Sequence, residues 1–329
     1  MDQGAREVGR AQRGTDRGVG RARITTAAKL ACLAVLLLPL TTGCSVDEVL
    51  RFGWPEGVTP QAENMRTLWT WSAIAALVVG FITWGAMFWA MIFHRKRKGD
   101  DDVPPRQTQY NLPVEIVFTV VPTIIVAVLF AFTVQVQNNV NDLDDPADLN
   151  VDIIAFQWNW EFVYPETRTP TGAPITTIGT ADTIPLLVLP TDRIITFTQR
   201  SNDVIHSFYV PDFLFKRDVF PAPEKNDQQN VWRIERIDRE GAFVGRCAEL
   251  CGAYHAVMNF EVRALAPPLF DRYLQLRQQT NAATGAPYTA GEALQALNCG
   301  EWCAPEAITT YPFDTNRTAR SASQPPAGS

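Results

Sequence analysis

The stretch VDIIAFQWNWEFVY, residues 151–164, places Phe156, Trp158, Trp160, Phe162 and Tyr164 at every second position. A strand turns successive side chains to opposite faces, so this spacing reads as a β-strand with one aromatic face. Further runs rich in β-branched and apolar residues follow at 184–189, 193–199, 231–236, 242–246 and 259–265. Turn-forming groups such as Pro190-Thr191-Asp192 and Arg239-Glu240-Gly241 separate them. Short strands at this spacing predict an all-β sandwich or barrel. Downstream, LFDRYLQLRQQT from Leu269 reads as a helix, and the Pro-, Ser- and Thr-containing end after it is expected to be loose.

Upstream the pattern changes. Residues 67–93 and 116–141 contain no Asp, Glu, Lys or Arg. Each run is long enough to cross a bilayer with some tilt. That excludes a simple soluble globule, and two spans are too few for this chain alone to enclose a transport pathway. Trp69, Trp71, Trp84 and Trp89 suit the two membrane interfaces. Pro122, early in the second span, is tolerable where neighbouring helices satisfy the freed carbonyl. The cluster His94-Arg95-Lys96-Arg97-Lys98 marks the loop between the spans as cytoplasmic, with both mature ends outside.

Further upstream, Arg17, Arg21, Arg23 and Lys29 precede a short apolar run at 30–40, then Thr41-Thr42-Gly43 and Cys44. A basic region, a short apolar core and small residues make a secretory signal. Gly43-Cys44 resembles a bacterial lipoprotein processing site, which would lipidate Cys44, although Thr41 stands where leucine is usual. The expected order is a signal peptide (1–43), an outer segment (44–66), a first span (67–93), a cytoplasmic loop (94–114), a second span (115–137), an outer β domain (138–270) and a C-terminal extension (271–329).

Charge is uneven along the 329 residues. Residues 1–43 carry +4, residues 44–136 carry −1 and residues 137–329 carry −9. An acidic outer domain repels nucleic acid and favours a basic partner, although acidity also serves plain solubility. Only three histidines occur, at 94, 206 and 255, so a multi-histidine metal centre or a multi-haem enzyme is excluded for this chain alone.

The chemistry concentrates in Cys247-Ala-Glu249-Leu-Cys251-Gly-Ala-Tyr-His255-Ala-Val-Met258, with His206 upstream in a strand-like context. Thiolate, imidazole and a weak thioether form the donor set of copper electron-transfer sites. A Cys247–Cys251 disulfide or a closed Cys2His2 zinc site would use the same cysteines, but neither accounts for Met258 at its spacing.

The string C-x-E-x-C-x3-H-x2-M, with a histidine about forty residues before it, resembles the cytochrome c oxidase subunit 2 family, in its bacterial, aa3-type, CuA-containing form. The strand Phe156-Gln157-Trp158-Asn159-Trp160 resembles that family's Q-W-x-W region. Asn111-Leu-Pro-Val-Glu115-Ile-Val-Phe-Thr119-Val-Val-Pro122 resembles the start of its second span, with Phe118 where tryptophan is usual. The match covers about residues 65–270. It implies a two-helix transmembrane hairpin and a cupredoxin-like sandwich holding two copper ions. Cys247 and Cys251 would bridge them, His206 and His255 would each cap one, and Met258 and the Glu249 carbonyl would be the weak ligands. The Glu249 side chain would reach a magnesium or manganese ion shared with the catalytic subunit. Trp158 would be the electron entry point, its alternative being a plain core aromatic on a strand. Glu115 would sit at the mouth of a proton path, its alternative being an interfacial carboxylate that ends a helix. Asp203 would order the ligand loop.

Cys299 and Cys303, in Cys-Gly-Glu-Trp-Cys, lie outside the family core and are expected to pair as a disulfide in an oxidising compartment. Neither cysteine pair reads C-x-x-C-H, so no c-type haem is fused here. The resemblance implies the electron-entry subunit of a respiratory oxidase in the bacterial cell membrane. Its donor would be a c-type cytochrome, either free or joined to a quinol–cytochrome c reductase and met by the 299–303 extension. Its acceptor would be haem in the catalytic subunit, where oxygen is reduced and protons are pumped. Three other classes compete. A quinol oxidase subunit typically lacks the copper ligands present here. Nitrous oxide reductase needs further histidines. A copper-delivery or zinc-binding lipoprotein would need neither the spans nor the strand tryptophans.

Overall fold

The computed structural model describes residues 45–95, 107–225 and 227–310. The expected signal peptide, Cys44 and its lipidation, most of the basic loop and residues 311–329 lie outside them. Among the described residues, 45–53 belong to a unit of their own and carry a short helix, α1 (Val46–Leu50). Ser45 caps it: the Glu48 N–H donates to Ser45 Oγ at 3.1 Å, and the Ser45 N–H donates to Glu48 Oε2 at 2.7 Å.

In the second unit, two long helices come first, α2 (Pro60–Phe93) and α3 (Leu112–Val140). Both are long and apolar enough to cross a membrane, and their apolar side chains face outward. Thr59 starts α2 by accepting from the Ala62 N–H at 3.1 Å, with Pro60 in the first turn, where a missing N–H costs nothing. The helix thus begins before the apolar run, and its polar first turns serve a second purpose. Gln61 Oε1 accepts from the Glu235 N–H (3.4 Å), and the Val58 backbone bonds to Asp212 and Asp238 (both 2.9 Å). Asn64 Nδ2 donates to Asn139 Oδ1 at 2.7 Å and ties the outer ends of the two helices together. Beyond α3, Arg217 donates to Asn141 Oδ1 and Arg233 to the Asp145 carbonyl, both at 2.8 Å. The sandwich is therefore bolted to the helix ends.

Among the described residues, ten strands form two five-stranded sheets. They are β1 (Leu149–Phe156), β2 (Asn159–Arg168), β3 (Pro174–Ile178), β4 (Leu186–Pro190), β5 (Ile195–Ser201), β6 (His206–Val210), β7 (Phe215–Val219), β8 (Val231–Ile234), β9 (Gly241–Cys247) and β10 (Asn259–Leu265). One sheet runs β3-β2-β1-β5-β8 and the other β4-β10-β9-β6-β7. The β1/β5 and β4/β10 pairs are parallel and the rest are antiparallel. An aromatic core joins the layers. Phe197 stacks on Trp232 at 4.1 Å, Phe208 stacks on Phe260 at 4.6 Å, and Trp160 packs edge-on against both Phe208 and Phe260. With the two apolar helices, this gives a two-helix transmembrane hairpin and an all-β, cupredoxin-like sandwich.

Two expectations need correction. The stretch 151–164 is a hairpin and not a single strand, because the chain reverses at Gln157-Trp158 and Phe156 pairs with Asn159. Trp160, Phe162 and Tyr164 on β2 keep the common buried face, whereas Phe156 is half-buried and Trp158 sits in the turn. The end of the chain is also not loose through residue 310. Helix α4 (Pro267–Arg277) runs across residue 270 as one element, and Arg277 on it reaches the Thr176 carbonyl at 2.8 Å. Helix α5 (Ala290–Leu297) follows, started by a reciprocal Thr289/Glu292 cap. A turn at 301–303 then packs on β10, where Glu261 and Arg263 are both fully buried. Arg263 donates to the Trp302, Ala304 and Glu306 carbonyls, and Glu261 accepts from the Ile308 and Thr309 N–H groups. Burying two charges is costly, and this pair is retained because the tail satisfies its remaining donors and acceptors.

Candidate metal centre

Antiparallel pairing sets the position of the site. β6 runs against β9, so the start of β6, at His206, lies beside the end of β9, at Cys247, with Phe208 opposite Cys247. The loop from Cys247 to Met258 then joins β9 to β10 at that same end. The Trp160 Nε1–H donates to the Met258 carbonyl at 3.2 Å and anchors the loop to the core.

Cys247, Cys251, His206 and Met258 are all buried, and both cysteines carry free thiols. Their sulfurs are 3.8 Å apart, well beyond the ~2.05 Å of a disulfide. His206 Nδ1 lies 3.8 Å from Cys247 Sγ, and His255 Nδ1 lies 3.6 Å from Cys251 Sγ. Met258 Sδ is 3.8 Å from Cys251 Sγ, and the Glu249 carbonyl is 3.3 Å from Cys247 Sγ. The donors of His206, Cys247 and Cys251 all fall within 4.8 Å of one another. Such spacings are those of neighbouring ligands on metal ions, whose bonds are about 2.0–2.3 Å long. The donor set of two thiols, two imidazoles, a thioether and a carbonyl fits soft transition metals, copper among them.

The local electrostatics agree. Burial pushes the Cys247 thiol up, but hydrogen bonds with His206 and with the backbone at Glu249 and Ser207 outweigh it and bring its pKa down to about 7. Burial and the adjacent Cys247 thiolate push Cys251 up to about 12. Two thiolates this close repel by about 4 kcal/mol at the effective dielectric of a protein, so ionising both calls for bound cations. Asp203 supports the histidine, with the His206 Nε2–H donating to its Oδ1 at 2.8 Å. A carboxylate can only accept there, so in the neutral imidazole Nδ1 is left bare toward the sulfurs. Burial disfavours a charged His206, yet Cys247 and Asp203 outweigh it and raise its pKa. Burial likewise works against the Asp203 carboxylate, but the Gln157 N–H and then His206 hold it below its usual range.

Trp158 stands in the β1–β2 turn, half-buried against the ligand loop, with its Nε1–H donating to the Cys251 carbonyl at 3.2 Å and its ring edge-on to Tyr254 at 4.8 Å. It is not a core aromatic on a strand. Gln157 beside it also reaches Cys251, a contact that no feature of the sequence signalled. The Glu249 carboxylate is half-exposed, 3.9 Å from Lys216 Nζ. Among the described residues no second cluster of metal-binding side chains surrounds it. Glu115 lies in the first turn of α3, at the far end of that helix from the sandwich, where its Oε1 accepts from the Asn111 N–H at 2.9 Å. It caps its own helix and is not brought to the metal centre. Cys299 and Cys303 form a disulfide, with Cα atoms 5.3 Å apart.

A two-helix anchor carrying a cupredoxin-like sandwich, with a buried thiol–imidazole cluster at one end, defines a membrane-anchored protein with a candidate metal site. Two family descriptions match the chain: "Cytochrome C oxidase subunit II, transmembrane domain" over residues 48–136 and "Cytochrome C oxidase subunit II, periplasmic domain" over residues 149–265. The chain is 45% identical to the probable cytochrome c oxidase subunit 2 of Nocardia farcinica, over 93% of this chain and 92% of that one. It is 42% identical to cytochrome c oxidase subunit 2 of Mycobacterium tuberculosis, over 91% and 90%. The periplasmic domain of subunit II of a Bradyrhizobium japonicum cytochrome oxidase is 24% identical, covers 40% of this chain and 95% of that one, and superposes with a TM-score of 0.33. The chain belongs to the cytochrome c oxidase subunit II family. It is thus a membrane protein and a subunit of cytochrome c oxidase, an oxidoreductase.

Proposed function

We propose that this chain is the electron-entry subunit of its oxidase, receiving electrons from a c-type cytochrome and passing them toward haem in the catalytic subunit, where oxygen is reduced to water and protons are pumped. The observation that carries this reading is the order of the donors. His206, Cys247, Cys251 and His255 follow one another with gaps of 3.8, 3.8 and 3.6 Å, an imidazole at each end and the two sulfurs between. A string of this kind suits two copper ions sharing the sulfurs, each capped by one histidine, better than one tetrahedral ion. Met258 and the Glu249 carbonyl stand where weak ligands would. Bound copper would supply one-electron redox chemistry. The chain supplies the rigid frame, the buried thiols and the tautomer of His206.

Trp158, half-buried over the ligand loop, is the entry point in this reading. The −9 charge of residues 137–329 draws in a basic cytochrome, and the 299–303 extension offers a contact for one held by a joined quinol–cytochrome c reductase. The outer domain lies on the periplasmic side, as the basic loop between the spans requires. The Glu249 carboxylate would offer one ligand to a magnesium or manganese ion whose other ligands come from the catalytic subunit. Glu115 would face a proton path in that subunit, and Cys44 would carry a lipid. The test is to mix the purified oxidase complex with reduced c-type cytochrome and follow the electron. Uptake that is lost in a Cys247→Ser complex with its haem intact supports the reading. Uptake unchanged in that complex overturns it.

A further inference from the structure

The Gln157-Trp158 turn is fastened beside His206 on one side and at Cys251 on the other. On one side, the Gln157 N–H donates to Asp203 Oδ2 at 2.6 Å, and the other oxygen of the same carboxylate accepts from His206. On the other side, Gln157 Nε2 donates to the Cys251 carbonyl at 2.7 Å, a carbonyl it shares with the Trp158 indole. The ligand loop is shaped for this contact. A Cβ on Gly252 would lie 3.1 Å from the Trp158 ring and 3.3 Å from Gln157 Nε2, and the Gly252 φ of +124° is one that only glycine adopts without strain. Gln157 itself is exposed and uncharged. It neither fills the core nor adds to the field that steers a partner.

We infer that Gln157 is a positioning residue for electron entry, tying the Trp158 indole to the Cys251 side of the centre through its amide and to the His206 side through Asp203. This rests on the electron-entry reading above. Without the amide, the Cys251 carbonyl loses one of the two donors that the turn gives it. The turn then wanders over a loop whose own geometry is unchanged. Loss of the Asp203 carboxylate loosens both the turn and His206, because an asparagine offers one acceptor oxygen where the Gln157 and Val204 N–H groups, the Ser201 hydroxyl and the His206 Nε2–H now converge on two.

The test uses the full oxidase complex with Gln157→Ala and, separately, Asp203→Asn. Three quantities are read: the electron paramagnetic resonance spectrum, amide hydrogen exchange over residues 156–160 without donor, and electron uptake from reduced cytochrome c at varied concentration. For Gln157→Ala the expected result is an unchanged spectrum, faster exchange and a maximal uptake rate lower by about tenfold, within what an ångström of misplacement costs, at an unchanged half-saturating concentration. For Asp203→Asn, exchange also quickens, uptake falls and the spectrum shifts. A Gln157→Ala complex that differs only in its half-saturating concentration, with normal exchange, would make Gln157 a docking contact and overturn the inference. Unaltered exchange and uptake in both variants would overturn it too. An unaltered complex with no dinuclear copper signal would instead bring down the electron-entry reading itself.

Discussion

The sulfurs of Cys247 and Cys251 stand 3.8 Å apart as two buried free thiols, one with a lowered and one with a raised pKa. Without metal, one thiol of the pair ionises well before the other. Cys247 is the thiolate, because His206 and two backbone groups outweigh its burial.

The metal-free chain should therefore show split thiol chemistry. Cys247 has a folded pKa below the ordinary thiol value. Its contribution to stability is present above that ordinary value and is lost as pH falls through about 7. Cys251 has the opposite sign: its contribution is present below the ordinary value and lost as pH rises toward about 12. Alkylation followed peptide by peptide should show Cys247 labelling with a midpoint near pH 7, while Cys251 lags through alkaline pH. Equal midpoints for the two would contradict this.

The buried pair on β10 predicts a large and local loss. Arg263→Met leaves Glu261 charged and buried, which typically costs about 3–5 kcal/mol. It also frees the Trp302, Ala304 and Glu306 carbonyls, so protease should cut near residues 302–309 first. The double variant Glu261→Leu/Arg263→Met should recover part of the stability but not the protection of the tail. A single variant as stable as the wild type would mean that the pair is not what holds the tail.

The Cys299–Cys303 bridge closes a very short loop, so its removal should cost about 2 kcal/mol on the chain-entropy estimate. Cys299→Ser/Cys303→Ser should lower the melting temperature and speed cleavage near residue 303. Copper content and the spectrum of the centre should stay as they are, because the tail contributes no donor to it.

Replacing Trp158 by Phe removes the indole N–H that bonds Cys251 and narrows the ring. Electron uptake should fall by about a hundredfold with copper retained, as expected when a reacting group loses its place. Stopped-flow mixing with reduced cytochrome checks this, and a rate within twofold of wild type would rule Trp158 out as the entry point.

The spans were legible because lipid forbids charge, and 67–93 has none. The sandwich was legible from its apolar runs, and the donors of the site from the spacing of Cys247, Cys251, His255 and Met258. The hairpin at 157–158 was not. Aromatic residues keep alternating in the sequence from Phe156 through Trp160, and nothing in Gln157-Trp158 has the glycine or asparagine of a usual two-residue turn. The packed tail was hidden for a related reason. Glu261 and Arg263 look like ordinary surface charges on a strand, and only the fold reveals that their partners are backbone groups some forty residues on. Gln157 gave little local sign of its role, because it acts through Cys251 and Asp203, both distant in the chain, whereas Asp203 stands three residues from the histidine it supports and was expected to order the ligand loop.

The most direct test of the central claim is an electron paramagnetic resonance spectrum of the copper-loaded full chain in its oxidase complex, recorded with its copper-to-protein ratio. Two copper ions per chain and a hyperfine pattern from one unpaired electron shared equally by two copper nuclei is the predicted result. A single copper with the splitting of one nucleus, or zinc filling the Cys247–Cys251 site, would contradict it.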